Sequence, residues 1–222
     1  MNSWSLKQKT LAAIAPALVL SQIVIFQFLV HFFGDTWGYL LGYVVYWLIW
    51  CIPVSLIFLK KNLLRLCRLP KGIYNKTHWI SASLVALPAL ATGLAVFPRY
   101  APSAGWEVVL LALFFAMINA PIEELFWRGV FPSVFPKSFW LGFLYPTFCF
   151  GAWHLAPALA KESGMDGGIL GFVGGAYFMG LVWGWYSHRY KTILPSTVSH
   201  VLTNLFAFTG FLYVNWFASS HI

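Results

Sequence analysis

Long apolar runs recur from one end of the chain to the other, and each can cross a bilayer as an α-helix. Runs of this length predict helices, because hydrocarbon leaves no partner for unpaired backbone polar groups. The composition agrees, since 60% of the residues are hydrophobic and 9% are charged. We therefore predict an all-α polytopic membrane helical bundle with about seven transmembrane helices (six to eight). The predicted spans are about 11–33, 37–59, 79–97, 106–130, 139–156, 169–187 and 193–217.

The basic residues gather in alternate connecting segments. If the N-terminus is cytoplasmic, twelve of the fourteen Lys and Arg residues lie on the cytoplasmic side, and only Arg99 and Lys161 lie outside. This asymmetry follows the positive-inside rule and predicts an N-in chain. Topology thus explains the net charge of +8. The expected partner is the lipid bilayer, and no nucleic acid is expected. The acidic residues predicted outside are Asp35, Glu107, Glu162 and Asp166.

The cysteines and glycines are predicted to serve packing rather than catalysis. The three cysteines have no spacing typical of a metal site, and we predict that they serve as packing residues. Gly171 and Gly175 form a Gly-x-x-x-Gly pair, which favours close packing of their helix against its neighbours.

Two adjacent acidic residues follow the apolar run that begins at Val108. The segment 121–129 carries Glu123, Glu124 and Arg128, and ionisable groups at membrane depth usually mark a functional site. Glu124 and Arg128 are four residues apart, so they share one helix face and can form an ion pair. Glu123 is rotated by roughly 100° from Glu124, which allows it to face a cavity. The alternative is a purely structural ion pair with a snorkelling arginine.

Two further apolar segments carry a histidine at helical spacing from a second residue. His154 lies four residues after Phe150, and His200 lies four residues before Asn204. A carboxylate and an imidazole that share a water make a general base, while an imidazole and a carboxamide can donate to an oxyanion. This set fits hydrolysis of an amide or ester. A catalytic zinc site with an open position is the alternative, because one Glu and two His match its ligands.

Together these motifs resemble the three-part signature of the CPBP family. The family comprises type II CAAX prenyl endopeptidases and the bacterial Abi and bacteriocin-processing or immunity proteins. The similarity covers residues 121–206 and implies a single intramembrane protease-like domain over 1–222, with its catalytic core at about 107–217. The motifs are Glu123-Glu124-x-x-x-Arg128, Phe150-x-x-x-His154 and His200-x-x-x-Asn204.

The resemblance implies an intramembrane endopeptidase. Its predicted catalytic residues are Glu123, His154, His200 and Asn204, and its predicted supporting residues are Glu124, Arg128 and Phe150. The first two would activate the water, and the next two would stabilise the oxyanion. The substrate would be a prenylated CAAX-type protein or another peptide, such as a bacteriocin precursor.

Members of this family are described both as metalloproteases and as metal-independent glutamate proteases. We expect no cofactor, because Asn204 is a poor zinc ligand. If a metal binds, its predicted ligands are Glu123, His154 and His200.

Two other functions remain as alternatives. One is a catalytically silent family member that acts as a bacteriocin-immunity protein or a membrane scaffold. The other is a proton-coupled transporter, which ranks lower because the chain shows no paired half-sequences.

The expected location is the cytoplasmic membrane of a prokaryote or an internal eukaryotic membrane, with the site opening to the cytoplasm. One expectation about depth fits poorly. His154 lies about 20 Å along its helix from the cytoplasmic end, whereas Glu123 and His200 lie only about 10 Å deep.

Overall fold

The computed structural model describes residues 4–60, 63–69 and 76–218, and their regular structure is helical. Helices α1 to α5 are Leu6–Val45, Ile52–Leu59, Leu63–Leu66, Lys76–Ala95 and Phe97–Glu123. Helices α6 to α10 are Phe131–Val134, Tyr145–Trp153, Leu155–Ala160, Gly168–Tyr190 and Leu194–Leu212. Four π-helical segments among the described residues are Tyr46–Cys51, Glu124–Val130, Trp140–Leu144 and Tyr213–Phe217. The prediction of an all-α membrane bundle is confirmed.

Two glycines with positive φ bend the longest helices. Gly34 in α1 has φ 77° and ψ 169°, and Gly105 in α5 has φ 77° and ψ 165°. A residue with a Cβ rarely adopts this conformation, whereas glycine does so at little steric cost. Gly34 lies between the first two predicted spans, and Gly105 directly precedes the fourth. The sequence therefore placed both breaks correctly.

Among the residues that the structure describes, five helical runs are long and apolar enough to cross a membrane, compared with the seven spans predicted. The run Leu6–Leu59 contains the first two predicted spans in 54 residues. The fifth predicted span, 139–156, is divided into a π-helical segment, α7 and part of α8, because the helix is interrupted at His154. None of these pieces alone has the length of a span. The other four predicted spans each lie within one run or extend beyond it by no more than two residues.

Contacts between distant segments define one end of the bundle, here called the Lys7 end. Lys7 Nζ donates to the Phe58 carbonyl at 3.2 Å, so the run Leu6–Leu59 crosses the bundle and returns. Two further contacts join other connections to this end. They are Ile193 N to Leu66 O at 2.9 Å and Lys191 Nζ to Pro136 O at 3.2 Å.

Ion pairs define the opposite end, here called the Lys161 end. Lys161 Nζ lies 2.7 Å from Asp35 Oδ2, and Arg99 pairs with Asp166. Both basic residues that were predicted outside therefore pair with acidic residues that were predicted outside. The chain thus groups its connections at two ends as the charge pattern predicts.

Packing of the later helices brings the polar segments together. Helix α10 packs along α5 and α4, while α7 packs against α9 and α1. The buried core between them contains the indole rings of Trp127, Trp153 and Trp183. Helices α5, α7 and α10 therefore meet where the sequence placed its acidic and histidine motifs.

Candidate active site

Four polar side chains from three parts of the chain line one cavity of about 330 Å³. Glu123 ends α5, His154 lies at the turn between α7 and α8, and both His200 and Asn204 belong to α10. Each of the four residues is at least nine-tenths buried. The structure thus brings together all four residues predicted as catalytic.

Glu124 lies beside this cavity in a buried cluster of charges. Arg128 Nη1 lies 3.2 Å from Glu124 Oε1, which is the pair that the four-residue spacing predicts. The same carboxylate oxygen accepts from His200 Nδ1 at 3.0 Å. The guanidinium also lies over the Phe150 ring, 3.7 Å from its centroid. Arg128 therefore contacts both of the other predicted supporting residues, Glu124 and Phe150, and cation–π attraction holds the arginine in place.

His200 is fixed on two sides. Its ring stacks on Trp183 with centroids 4.3 Å apart, and its Nδ1 is bonded to Glu124. Its Nε2 lies 3.4 Å from Glu123 Oε2. A carboxylate partner on Nδ1 requires a proton on that nitrogen, and both ring nitrogens of His200 face carboxylates.

Glu123 is surrounded by hydrogen-bond donors. Trp153 Nε1 donates to its Oε1 at 3.1 Å, and Asn119 Nδ2 donates to its Oε2 at 3.1 Å. The Oδ1 atom of Asn119 accepts from Trp47 Nε1 at 2.9 Å, which orients the amide so that its NH2 group faces Glu123. Both oxygens of the Glu123 carboxylate are therefore held in place by hydrogen-bond donors.

His154 has a defined tautomer. Its Nδ1 lies 2.7 Å from the Phe150 carbonyl, an acceptor, so Nδ1 carries the proton and Nε2 of the neutral ring is an acceptor. The expected mismatch in depth is absent, because Trp153, its direct neighbour, bonds to Glu123. The helical path beyond Glu123 continues to Val134, which places Glu123 about 16 Å from that end rather than 10 Å.

Asn204 retains a donor without a partner. Its Nδ2 has no hydrogen bond to any residue that the structure describes, although the side chain is only 7% exposed and lines the cavity. Buried polar atoms are normally paired, so an unpaired donor in a cavity suits a bound acceptor.

Comparison with known families agrees with this geometry. Residues 105–206 match the model of the family described as type II CAAX prenyl endopeptidase Rce1-like. The chain carries an Rce1-like domain. The resemblance to the CPBP family is thereby confirmed, and the match of these residues to a peptidase family supports a hydrolase. No match was found among curated proteins or among solved structures.

The Rce1-like domain does not present a ready metal site in the described residues. No group of three or more His, Cys, Asp or Glu side chains in these ranges could hold a metal ion. The Nδ1 atoms of His154 and His200 are engaged with Phe150 and Glu124, which leaves Nε2 as the ring nitrogen that faces the cavity. As placed, the three predicted ligands do not form such a group.

Sequence reasoning missed three residues around Glu123. Asn119 lies four residues before it in an apolar helix, so the same spacing argument that paired Glu124 with Arg128 could have found it. Trp153 lies inside the second motif but was not singled out. Trp47 lies outside the Rce1-like domain, and no local pattern indicates its contact with Asn119.

We expect Asn119→Leu to lower the rate of peptide hydrolysis by about 10- to 100-fold, because a hydrogen bond to a charged group contributes about 1.5–3 kcal/mol. Trp47→Phe should have a smaller effect, since it removes only the bond that orients the amide. Steady-state kinetics on purified variants measures both. Tyr190→Phe is the matched control, because it removes a partly buried hydrogen bond to Ser81 outside the cavity lining. Equal losses in Asn119→Leu and the control would contradict a role at Glu123.

Proposed function

We propose that the protein is an intramembrane endopeptidase that hydrolyses a peptide bond with a water activated by Glu123 and His154. The observation that carries this proposal is the cavity itself. A buried carboxylate, a histidine Nε2 acceptor and an unpaired amide donor line the same space at mid-depth of the bundle. These are the groups that water attack on a carbonyl requires.

The proposed reaction proceeds in two steps. Glu123 takes a proton from a water that His154 Nε2 also accepts from, and the resulting hydroxide attacks the carbonyl carbon. Asn204 Nδ2 and the imidazolium Nε2 of His200 donate to the oxyanion, while Glu124 stabilises the His200 charge. Glu123 then passes its proton to the amide nitrogen, the C–N bond breaks, and the amine leaves.

We propose seven crossings with the N-terminus in the cytoplasm. At about 1.5 Å per residue, the run Leu6–Leu59 extends far beyond a hydrocarbon core of about 30 Å, and its two ends meet at the Lys7 end. It therefore supplies two crossings. The segment between Pro136 and Lys161 joins opposite ends and supplies another. The remaining four long runs complete the set.

The proposed substrate is a peptide or a prenylated protein at the membrane. A panel of quenched fluorescent peptides, prenylated CAAX peptides included, tests this with purified protein in detergent. Cleavage by wild type and not by Glu123→Ala, unchanged by a strong chelator, supports the glutamate mechanism. Loss of cleavage with the chelator and recovery of cleavage with zinc would instead identify the protein as a metalloenzyme. Failure to cleave, with normal phenotypes in cells carrying Glu123→Ala, would favour a silent immunity or scaffold protein.

Asn204→Ala is expected to retain measurable hydrolysis at a rate about 10²–10³-fold below wild type. Loss of one oxyanion donor has an effect of this size, and water activation by Glu123 remains. The ratio kcat/KM on the best peptide of the panel measures it. Asn215→Ala, which removes an amide near the Lys161 end, is the control and should retain the wild-type rate. A wild-type rate for Asn204→Ala would remove this residue from the oxyanion site.

A further inference from the structure

The cavity of the candidate site extends to one end of the bundle. Its cavity lining extends to residues at or near the surface of the Lys161 end, namely Lys161, Ser163, Met165, Asp166, Gly168 and Ile169. None of the residues named above for the Lys7 end lines it. A substrate that reaches Glu123 through this cavity therefore arrives from the Lys161 end.

The charge pattern assigns that end to a side of the membrane. Of the twelve basic residues on the predicted cytoplasmic side, Arg128 is buried in the site, which leaves eleven against the two at the Lys161 end. The positive-inside rule puts the Lys7 end in the cytoplasm. On this structure, an N-in chain and a site that opens to the cytoplasm are incompatible, although the sequence predicts both.

We infer that the cavity opens to the non-cytoplasmic side of the membrane and accepts a peptide segment with apolar side chains presented there, which selects the peptide among the proposed substrates over a prenylated protein on the cytoplasmic side. That a substrate enters this cavity rests on the proposed function, whereas the direction in which the cavity opens does not. Each of the two ion pairs at this end joins one basic and one acidic residue, so the pairs add no net charge to the entrance.

The cavity wall has room for an extended chain. Gly171 and Gly175 of α9 line it, and a Cβ added at Gly174 or Gly175 would meet no atom within 4 Å. Close packing, which the Gly-x-x-x-Gly pair predicts, is therefore wrong for this half of α9. It holds further along, where a Cβ at Gly180 would lie 3.1 Å from Thr147 Cγ2. The lining also includes aromatic side chains, among them Tyr43 and Phe211. An open glycine face in a cavity that also contains aromatic rings suits a peptide backbone with apolar side chains.

Labelling of single cysteines tests the direction without any assay of hydrolysis. Cys67 is exposed in a segment of the Lys7 end and is the natural cytoplasmic reporter. Glu162→Cys reports the Lys161 end, and Gly175→Cys reports the cavity, each in a chain whose three native cysteines are replaced by alanine. A charged, membrane-impermeant thiol reagent is applied to intact cells and then to permeabilised cells. Ser163→Cys is the second cavity reporter if Gly175→Cys does not fold.

We expect Glu162→Cys and Gly175→Cys to react fully in intact cells, while Cys67 reacts only after permeabilisation. Reaction of Glu162→Cys only after permeabilisation would overturn the inference by reversing the orientation. Reaction of Glu162→Cys from outside with a cavity reporter that reacts only from the cytoplasm, or not at all, would also overturn it. A failed peptide assay would leave these labelling results unchanged, so the proposed function and this inference can fail separately.

Discussion

Glu123→Gln is expected to abolish detectable peptide hydrolysis while the protein remains folded. Glutamine has the shape of glutamate but cannot take a proton from water, and loss of a positioned general base lowers the rate by about 10²–10⁴-fold. Its amide group would also meet a donor, because Trp153 and Asn119 donate to the two oxygens of Glu123. Cleavage of the best peptide and the size-exclusion profile in detergent measure the two parts of this prediction.

Glu107→Gln is the matched control for this variant. Glu107 is exposed on the same helix α5, at a distance from the cavity lining, so its neutralisation should leave both the rate and the profile unchanged. Full activity in Glu123→Gln would rule out Glu123 as the base. Aggregation of Glu123→Gln would assign the carboxylate to folding, and Asn119→Leu would then provide the test at the same oxygen.

Arg128→Met is expected to destabilise the fold by about 3–5 kcal/mol, the range for breaking a buried ion pair on one side. Arg128 and Glu124 are almost fully buried, and methionine would leave Glu124 without its main counter-charge next to Glu123. For a chain of this size, the loss corresponds to a decrease in Tm of roughly 6–20 °C. Thermal unfolding in detergent, followed by intrinsic tryptophan fluorescence, measures it.

The control is Arg189→Met, because Arg189 is exposed at the end of α9 and should be replaceable without a change in Tm. Adding Glu124→Gln to Arg128→Met should recover part of the loss, since the remaining buried charge is removed. A Tm equal to wild type in Arg128→Met would show that the pair does not stabilise the fold, contrary to its buried geometry.

Residue spacing along one helix predicted the site residues that belong to that helix. The pairing of Glu124 with Arg128 and the cavity-facing position of Glu123 followed from a rotation of about 100° per residue. The convergence of His154 and Asn204 with Glu123 followed from the family resemblance, because no local pattern relates separate helices. Trp47 could not be found in either way, since its contact with Asn119 joins residues 72 positions apart.

For the fold, too, the sequence predicted the features that depend on neighbouring residues and missed those that depend on contacts between helices. The lengths of the apolar runs and the distribution of charged residues predicted the spans and the grouping of their connections at two ends, because both can be read from local composition. They could not show that Gly34 bends a helix without ending it, or that the helix around His154 is broken into short pieces. The side on which the cavity opens depends on packing between helices, which local composition does not report.

The central claim is that Glu123 activates a water that attacks the peptide bond directly. A single turnover in water enriched in ¹⁸O, followed by mass spectrometry of the products and the protein, tests it most directly. We predict one ¹⁸O atom in the new carboxylate of the N-terminal product and none in Glu123. Incorporation of ¹⁸O into Glu123 would indicate a covalent acyl-enzyme and would contradict this account, as would product formed without ¹⁸O.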